Sequence, residues 1–321
     1  MMRVLRLGAF DLALDECSPA HQSLIESLFR ATVEPLPSTE PVHLRLAIAA
    51  AQSGDRFGTG VALTAVEEDG LLHLSSDVVA GTLDLRPPEK RLRLRVNDAH
   101  LHVRHLDLYL RIVLNAVLRR LGRLRLHAAA VEVGGIASLF VGEKGAGKTT
   151  LCLHLAREGG TVLGEDQIMV RRSDSAGVDE FLVAGGDDLM RMTAKTETHF
   201  FRESPDGPSV EVAGVTKREI RARSHIRYET NLERPVRRIF FPRVGDTFDV
   251  QPLDRVAALS RIAAPLLPIN RFTSAEDRRG FLDMLAGMTR QAECFTLTLT
   301  PDLRDLRQLS RFLLAPVEII A

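Results

Sequence analysis

Apolar residues recur at helical spacing from Arg104 to Leu121. Leu106, Leu110, Val113, Leu114, Val117, Leu118 and Leu121 form one broad stripe, and Gly122 stands where a helix would stop. So wide a stripe predicts a helix buried on more than one side. Similar spacing predicts helices over Ser18–Thr32, ended by Pro35 and Pro37, and over Asp254–Leu266. Ser274–Ala292 reads as a further helix with a Ser274/Asp277 capping signature, and Asp302–Leu314 as another that follows Pro301. Strict alternation marks strands at Val42–Ile48, Leu92–Val96 and Phe295–Leu299, and shorter apolar runs mark Leu71–Leu74 and Pro235–Val244. Leu124–Val133 reads as one strand, turned by Gly134-Gly135 into a return strand, Ile136–Val141. Gly185–Lys195 and Ser204–Lys217 resolve into neither period.

These elements divide the chain in two. Residues 1–103 form a small strand-rich region broken at Pro87-Pro88, without a recognisable chemical motif. Packing, oligomerisation or substrate recognition would each suit it. Residues 104–321 hold every motif discussed below.

The return strand runs into Gly142-Glu143-Lys144-Gly145-Ala146-Gly147-Lys148-Thr149, followed by Thr150. This fits the phosphate-binding pattern G-x-x-x-x-G-K-[ST] at every required position, and Lys148–Glu158 continues as a helix. Strand, glycine turn and helix together aim backbone N–H groups and a helix N-terminus at an anion. Lys148 is placed to reach β- and γ-phosphates, and the Thr149 hydroxyl to ligate magnesium. ATP and Mg2+ are therefore the expected ligands.

Three features refine that chemistry. Glu165-Asp166 closes the short strand Thr161–Leu163, where a phosphoryl-transfer site commonly sets its second acidic element. One carboxylate there can serve the metal and the other can take a proton from an attacking hydroxyl. Neighbours on an extended backbone point opposite ways, so the two are not expected to share a role. His127 precedes three small residues, Ala128, Ala129 and Ala130, which leave room for close approach. Positive charge comes in two runs, Lys217, Arg218, Arg221 and Arg223, and Arg237-Arg238, either of which can supply one cation to a transferred phosphoryl group.

Composition narrows the partners. Lys+Arg and Asp+Glu are equal at 42 each, so no global basic field draws the chain to nucleic acid or membrane. Cys17, Cys152 and Cys294 are scattered without metal-ligand spacing, which suits a reducing cytoplasm. No signal-peptide core and no apolar run of membrane-spanning length is present.

From His127 through the glycine loop to Glu165-Asp166 the chain resembles the catalytic core of the HPr serine kinase/phosphorylase family, closest to its broad HPr-kinase-related group. Leading histidine, two-strand hairpin, phosphate loop, glycine-ended helix and acidic pair occur in that order over Leu124–Arg172. The resemblance implies a mixed α/β (α+β) fold with a phosphoenolpyruvate carboxykinase-like P-loop kinase core. It implies His127 near metal and γ-phosphate, Glu165 as proton acceptor for a serine hydroxyl, and Thr149 and Asp166 at the metal. It also implies an acceptor that is a peptide or protein, including precursors of ribosomally made natural products, and is compatible with self-association. Two departures are visible: Glu165 stands where the family has aspartate, and Thr149-Thr150 where the sugar-regulating enzymes have Ser or Thr followed by an acidic residue. Their C-terminal signature for dephosphorylation is absent, which argues against phosphorylase activity and against HPr as acceptor. Two other classes fit the same motifs: a regulator that holds ATP without transferring phosphate, and a kinase of a small molecule such as free serine.

Overall fold

Strand pairing organises the whole chain. The structure, a computed structural model, describes residues 2–7, 10–29, 33–37, 41–58, 64–86, 88, 90–97, 103–173, 180–212, 214–266, 275–301 and 306–314. The first part runs β1 (Met2–Arg6), β2 (Asp11–Cys17), α1 (Pro19–Phe29), β3 (Val33–Leu36), β4 (Leu44–Ala50), β5 (Thr64–Glu68), β6 (Leu71–Ser75), β7 (Val79–Asp84), β8 (Lys90–Val96) and α2 (Val103–Arg120). There follow β9 (Arg123–Leu126), β10 (Ala128–Val133), β11 (Ile136–Val141), α3 (Lys148–Arg157), β12 (Thr161–Gly164), β13 (Ile168–Arg172), β14 (Phe181–Gly185), β15 (Leu189–Met192) and α4 (Ala194–Phe200). The chain continues through β16 (Ser209–Val212), β17 (Val215–Arg221), β18 (Arg234–Val244), β19 (Asp249–Pro252), α5 (Arg255–Leu266), α6 (Ala275–Gln291), β20 (Glu293–Leu299) and α7 (Leu306–Leu314). The fold is mixed α+β with several sheets.

Chain contacts gather these elements into two units: Met1–Leu124 with Ala264–Asp283, and Arg125–Ala263 with Met284–Ala321. The first unit holds an eight-stranded sheet in the order β3-β1-β2-β4-β8-β7-β6-β5. Its alternation is as the sequence pattern requires. Leu44, Leu46 and Ile48 of β4 are buried beside Leu92, Leu94 and Val96 of β8, and Leu72 and Leu74 are buried in β6. Within the same unit, Arg119 of α2 forks onto Asp277 of α6 through two bonds of 2.8 and 2.9 Å, and both side chains are almost fully buried.

Most of the second unit's strands belong to a sheet ordered β12-β10-β11-β18-β14-β13-β9, with β20 also beside β18 and β19 beside β20. β11, β18 and β20 run parallel and in register, so that Phe140 faces Phe240 and Phe240 faces Phe295. The rings stack at 5.4 and 5.3 Å, and Phe312 of α7 meets Phe295 edge-on at 5.2 Å. Such aromatic contacts are each worth about 0.5–1.5 kcal/mol beyond their area. They fix the strand that delivers the glycine loop. A three-stranded sheet, β15-β17-β16, forms from the two stretches whose period was unreadable.

Several elements differ from their sequence reading. The expected strand Leu124–Val133 breaks at His127 into β9 and β10. The helix expected over Ser18–Thr32 is present over Pro19–Phe29, residues 30–32 lying outside the described residues, and Pro35 lies inside β3. β3 is an edge strand, where a missing amide costs no ladder bond. Ser274 and residues 302–305 lie outside the described residues. Asp277 serves as the partner of Arg119. Helix α5 has its cap in Asp254, whose Oδ1 accepts from the amides of Val256 and Ala257, both at 3.0 Å. Among the described residues no helix is long and apolar enough to cross a membrane.

Candidate active site

The glycine loop leaves β11 at a point where Leu139, Phe140 and Val141 are all buried. Gly147 caps α3 with φ 93°, a left-handed conformation, and no side chain caps the helix at that residue. A β-carbon there would also come within 3.2 Å of Leu299 Cδ1. The backbone angle therefore favours glycine, and the first amides of α3 face the cleft with the partial positive charge of the helix end. Leu151, Cys152 and Leu155 anchor α3 in the core that includes Phe140 and Phe240.

Lys148 is only 6% exposed. Its Nζ donates to Gly142 O at 2.7 Å and Glu143 O at 3.1 Å, and lies 3.4 Å from His127 Nε2. Burial pulls the ammonium below its ordinary pKa, while the carboxylates of Asp166 and Glu165 act in the opposite direction. A lysine held this way supplies concentrated positive charge and has little water to screen it.

Glu165 and Asp166 both line the cleft, contrary to the divergence expected of neighbours on an extended strand. The reason is backbone: Asp166 turns to φ 71°, the left-handed region that aspartate tolerates better than most residues. Such positions cost of order 1–3 kcal/mol and cluster at functional sites. Glu165 is 3% exposed, and its Oε1 accepts the Thr149 hydroxyl at 2.5 Å. Asp166 is more open, and its Oδ1 lies 3.8 Å from His127 Nδ1. That imidazole nitrogen is also 3.2 Å from the Asp166 carbonyl oxygen. The bend that splits β9 from β10 thus puts His127 between Lys148 and Asp166.

Two structural supports were not apparent from the sequence. Tyr228 is fully buried; its hydroxyl accepts from the Glu165 amide at 3.1 Å and donates to Asp187 O at 2.9 Å. Gly185 of β14 lies so near β12 that a β-carbon would run into the Leu163 carbonyl oxygen. Together they set the height at which the acidic pair leaves β12.

The resulting cleft, about 390 Å3, lies within the second unit. His127, Lys144, Gly145, Gly147, Lys148, Thr149, Thr150, Glu165 and Asp166 line it. Gly142, Glu143 and Ala146 shape the turn behind it, with Ala146 N bonded to Glu143 O at 3.2 Å. The far wall comes from Arg191, Met192 and Thr193 after β14, from Thr196, and from Val212 and Lys217 of the β16–β17 hairpin. Lys144 reaches across to the Val212 carbonyl.

Of the six cations read as possible phosphate contacts, Lys217 lines the cleft. Arg218 pairs with Glu197 at 3.0 Å, Arg221 with Asp188 at 2.6 Å and Arg237 with Glu180 at 2.5 Å. Arg223 binds Thr230, and Arg238 binds Leu313 O and lies near Glu293. Ion pairing with distant segments cannot be read from a run of charges, so the sequence could not single out Lys217.

No family model matches the chain, and no curated protein matches it. Among solved structures, the Hpr(Ser) kinase/phosphatase from Coxiella burnetii is similar over 59% of this chain and 87% of that one, at a TM-score of 0.32 and 8% identity. A likeness at that score carries no argument about this chain.

Proposed function

We propose that the chain is an ATP- and magnesium-dependent kinase with an HPr-kinase-like, phosphoenolpyruvate carboxykinase-like core, which moves a γ-phosphoryl group to a serine-type hydroxyl on a peptide or protein. One observation carries the reading: Lys148, Thr149, Glu165, Asp166 and His127 converge on one cleft at the N-terminus of α3.

The residues fit the implied ligands. Turn amides, helix end and Lys148 suit a polyphosphate. Thr149 Oγ1 and the Glu165 carboxylate, hydrogen-bonded to each other at 2.5 Å, are hard oxygen donors of the type magnesium takes. Such an ion would complete its shell with phosphate oxygens and water. Bound magnesium would neutralise charge on those oxygens.

In this reading Glu165 works with Thr149 on the metal side, which departs from the resemblance-based assignment of Asp166 to that side. The more open Asp166 accepts the proton of the incoming hydroxyl, and His127 orients that carboxylate. As the hydroxyl oxygen bonds to the γ-phosphorus, the bond to the bridging oxygen breaks and the nucleoside diphosphate leaves. Lys148 and Lys217 stabilise the negative charge on the transferred group. The acceptor is a peptide or protein, ribosomally made precursors among them.

The test is incubation with γ-labelled ATP, magnesium and the peptide fraction of a cell lysate, with Lys148→Ala as control. Label on a phosphoserine of a polypeptide is expected. Label on a free metabolite would instead assign a small-molecule kinase. Nucleotide binding with no labelled product at all would leave a regulator that only holds ATP.

A further inference from the structure

The eight-stranded sheet of the first unit has an outer face that the nucleotide cleft does not use. β8 sits inside this sheet, between β4 and β7. Its Leu92, Leu94 and Val96 are buried, Arg91 and Arg93 are exposed, and Arg95 is half-buried. Three guanidinium groups therefore stand on one face, every second residue, at a spacing of about 6.6 Å. β4 runs parallel and sets Arg45 directly opposite Arg91, Ala47 opposite Arg93 and Ala49 opposite Arg95. On the other side β7 sets Asp84 opposite Arg91, Thr82 opposite Arg93 and Ala80 opposite Arg95.

Like charges directly opposite one another weaken a sheet. The Arg45–Arg91 contact is thus a cost, which Asp84 of β7 offsets beside Arg91. Asp15 offsets it on one flank, 3.0 Å from Arg45, and Asp55 lies 4.0 Å from Arg95. Arg93, in the middle of the row, makes no hydrogen bond or ion pair among the described residues. Its cross-strand neighbours, Ala47 and Thr82, are short. The face is hollow there: Asp15, Arg45, Ala47, Arg91 and Arg93 border a depression of about 320 Å3. The chain as a whole is neutral, so this basic face is a local arrangement and not the overflow of a cationic protein.

We propose that this face docks an acidic, extended segment of a partner polypeptide, with carboxylates seated on Arg93 and Arg91. Alternate side chains of an extended chain repeat at the same interval as the arginines of β8. A guanidinium fork matches a carboxylate in two parallel hydrogen bonds. The depression is open to solvent, and so suits a chain laid across it better than an enclosed small molecule. A single phosphate ion would fill one fork and leave the rest of the row unused. The inference does not depend on the chemistry of the nucleotide cleft.

Fluorescence anisotropy on the full chain tests it, with a labelled peptide of about ten residues alternating Glu and Thr as probe and its Gln-Thr counterpart as control. The Glu peptide should bind, and salt should weaken it. Arg91→Gln combined with Arg93→Gln should weaken binding at least about tenfold, on the strength of two charged hydrogen-bonding groups lost. Nucleotide affinity should not change in that variant, and Lys148→Ala should not change peptide binding. Arg93→Gln alone, at an exposed position without partners, keeps the test open if the double variant folds poorly. Unchanged affinity in the variants, or equal binding of the Gln peptide, would overturn the proposal. So would full displacement by inorganic phosphate at concentrations similar to the peptide's, which would assign the hollow to a free anion.

Discussion

Lys148 holds two carbonyl oxygens of its own loop as well as its place beside the acidic pair. Lys148→Ala should lower phosphoryl transfer at least about a hundredfold, as loss of a preorganised charge contact does. Labelled-ATP rates read this effect, and circular dichroism should show secondary structure unchanged. Lys217 is a sharper case, because its ammonium has a place in the cleft wall but none in the turn. Lys217→Ala should cut kcat about tenfold or more and shift nucleotide affinity little, if the contact is made in the transition state. Equal losses in kcat/KM and in nucleotide binding would make it a ground-state contact instead. His154 of α3 is buried, with Nε2 2.7 Å from Ser310 Oγ. Burial depresses its pKa below 6.5, with Glu158 acting in the opposite direction. The unfolded chain therefore takes up that proton first, so stability holds above pH 6.5 and falls as acid is added below it. Urea unfolding from pH 7.5 downward should show a shallower loss in His154→Gln than in the natural chain.

At the scale of elements, the strand–loop–helix around residues 136–157 was legible because every residue that makes it is contiguous. β11 begins and ends where its apolar run does, and the acidic pair falls at the end of β12 as the spacing suggested. What was not legible is held by long-range contact. β1, β2, β5 and β7 lack strong alternation by themselves and exist through their neighbours in the sheet. The far wall of the cleft comes from β15 and the β16–β17 hairpin, whose short strands are edge and hairpin pieces without a readable period. His127 also ends a strand that periodicity would continue, because its ring turns towards Lys148 and Asp166. Gly185 carries an element-scale prediction. Gly185→Ala forces β14 away from the Leu163 carbonyl and should cost about 2 kcal/mol or more, as overpacking a closed core does. A lowered melting temperature together with weakened nucleotide binding would show that this close approach sets the acidic pair; a variant as stable as the parent would refute it.

Over the whole molecule, the two units separate two kinds of surface: a nucleotide-sized cleft in one and an arginine-lined sheet face in the other. ATP with magnesium should slow hydrogen exchange in α3 and β12, by up to about 2.7 kcal/mol of added protection at a hundredfold excess over Kd. β4 and β8 should not respond. The first unit has its own test. Its Arg119–Asp277 pair is buried, so Asp277→Asn leaves a guanidinium poorly compensated and should cost about 3–5 kcal/mol. Arg119→Met with Asp277→Leu should recover much of that loss. The chain has no tryptophan, so circular dichroism is the natural probe of both variants.

That same pair bears on how the protein is made. Arg119 and Asp277 are separated by 158 positions. At a ribosomal speed of roughly 5–20 residues per second, the arginine emerges about 8–30 s before the aspartate that neutralises it. The amino-terminal unit, first to be synthesised, can close its interior only after most of the second has left the tunnel.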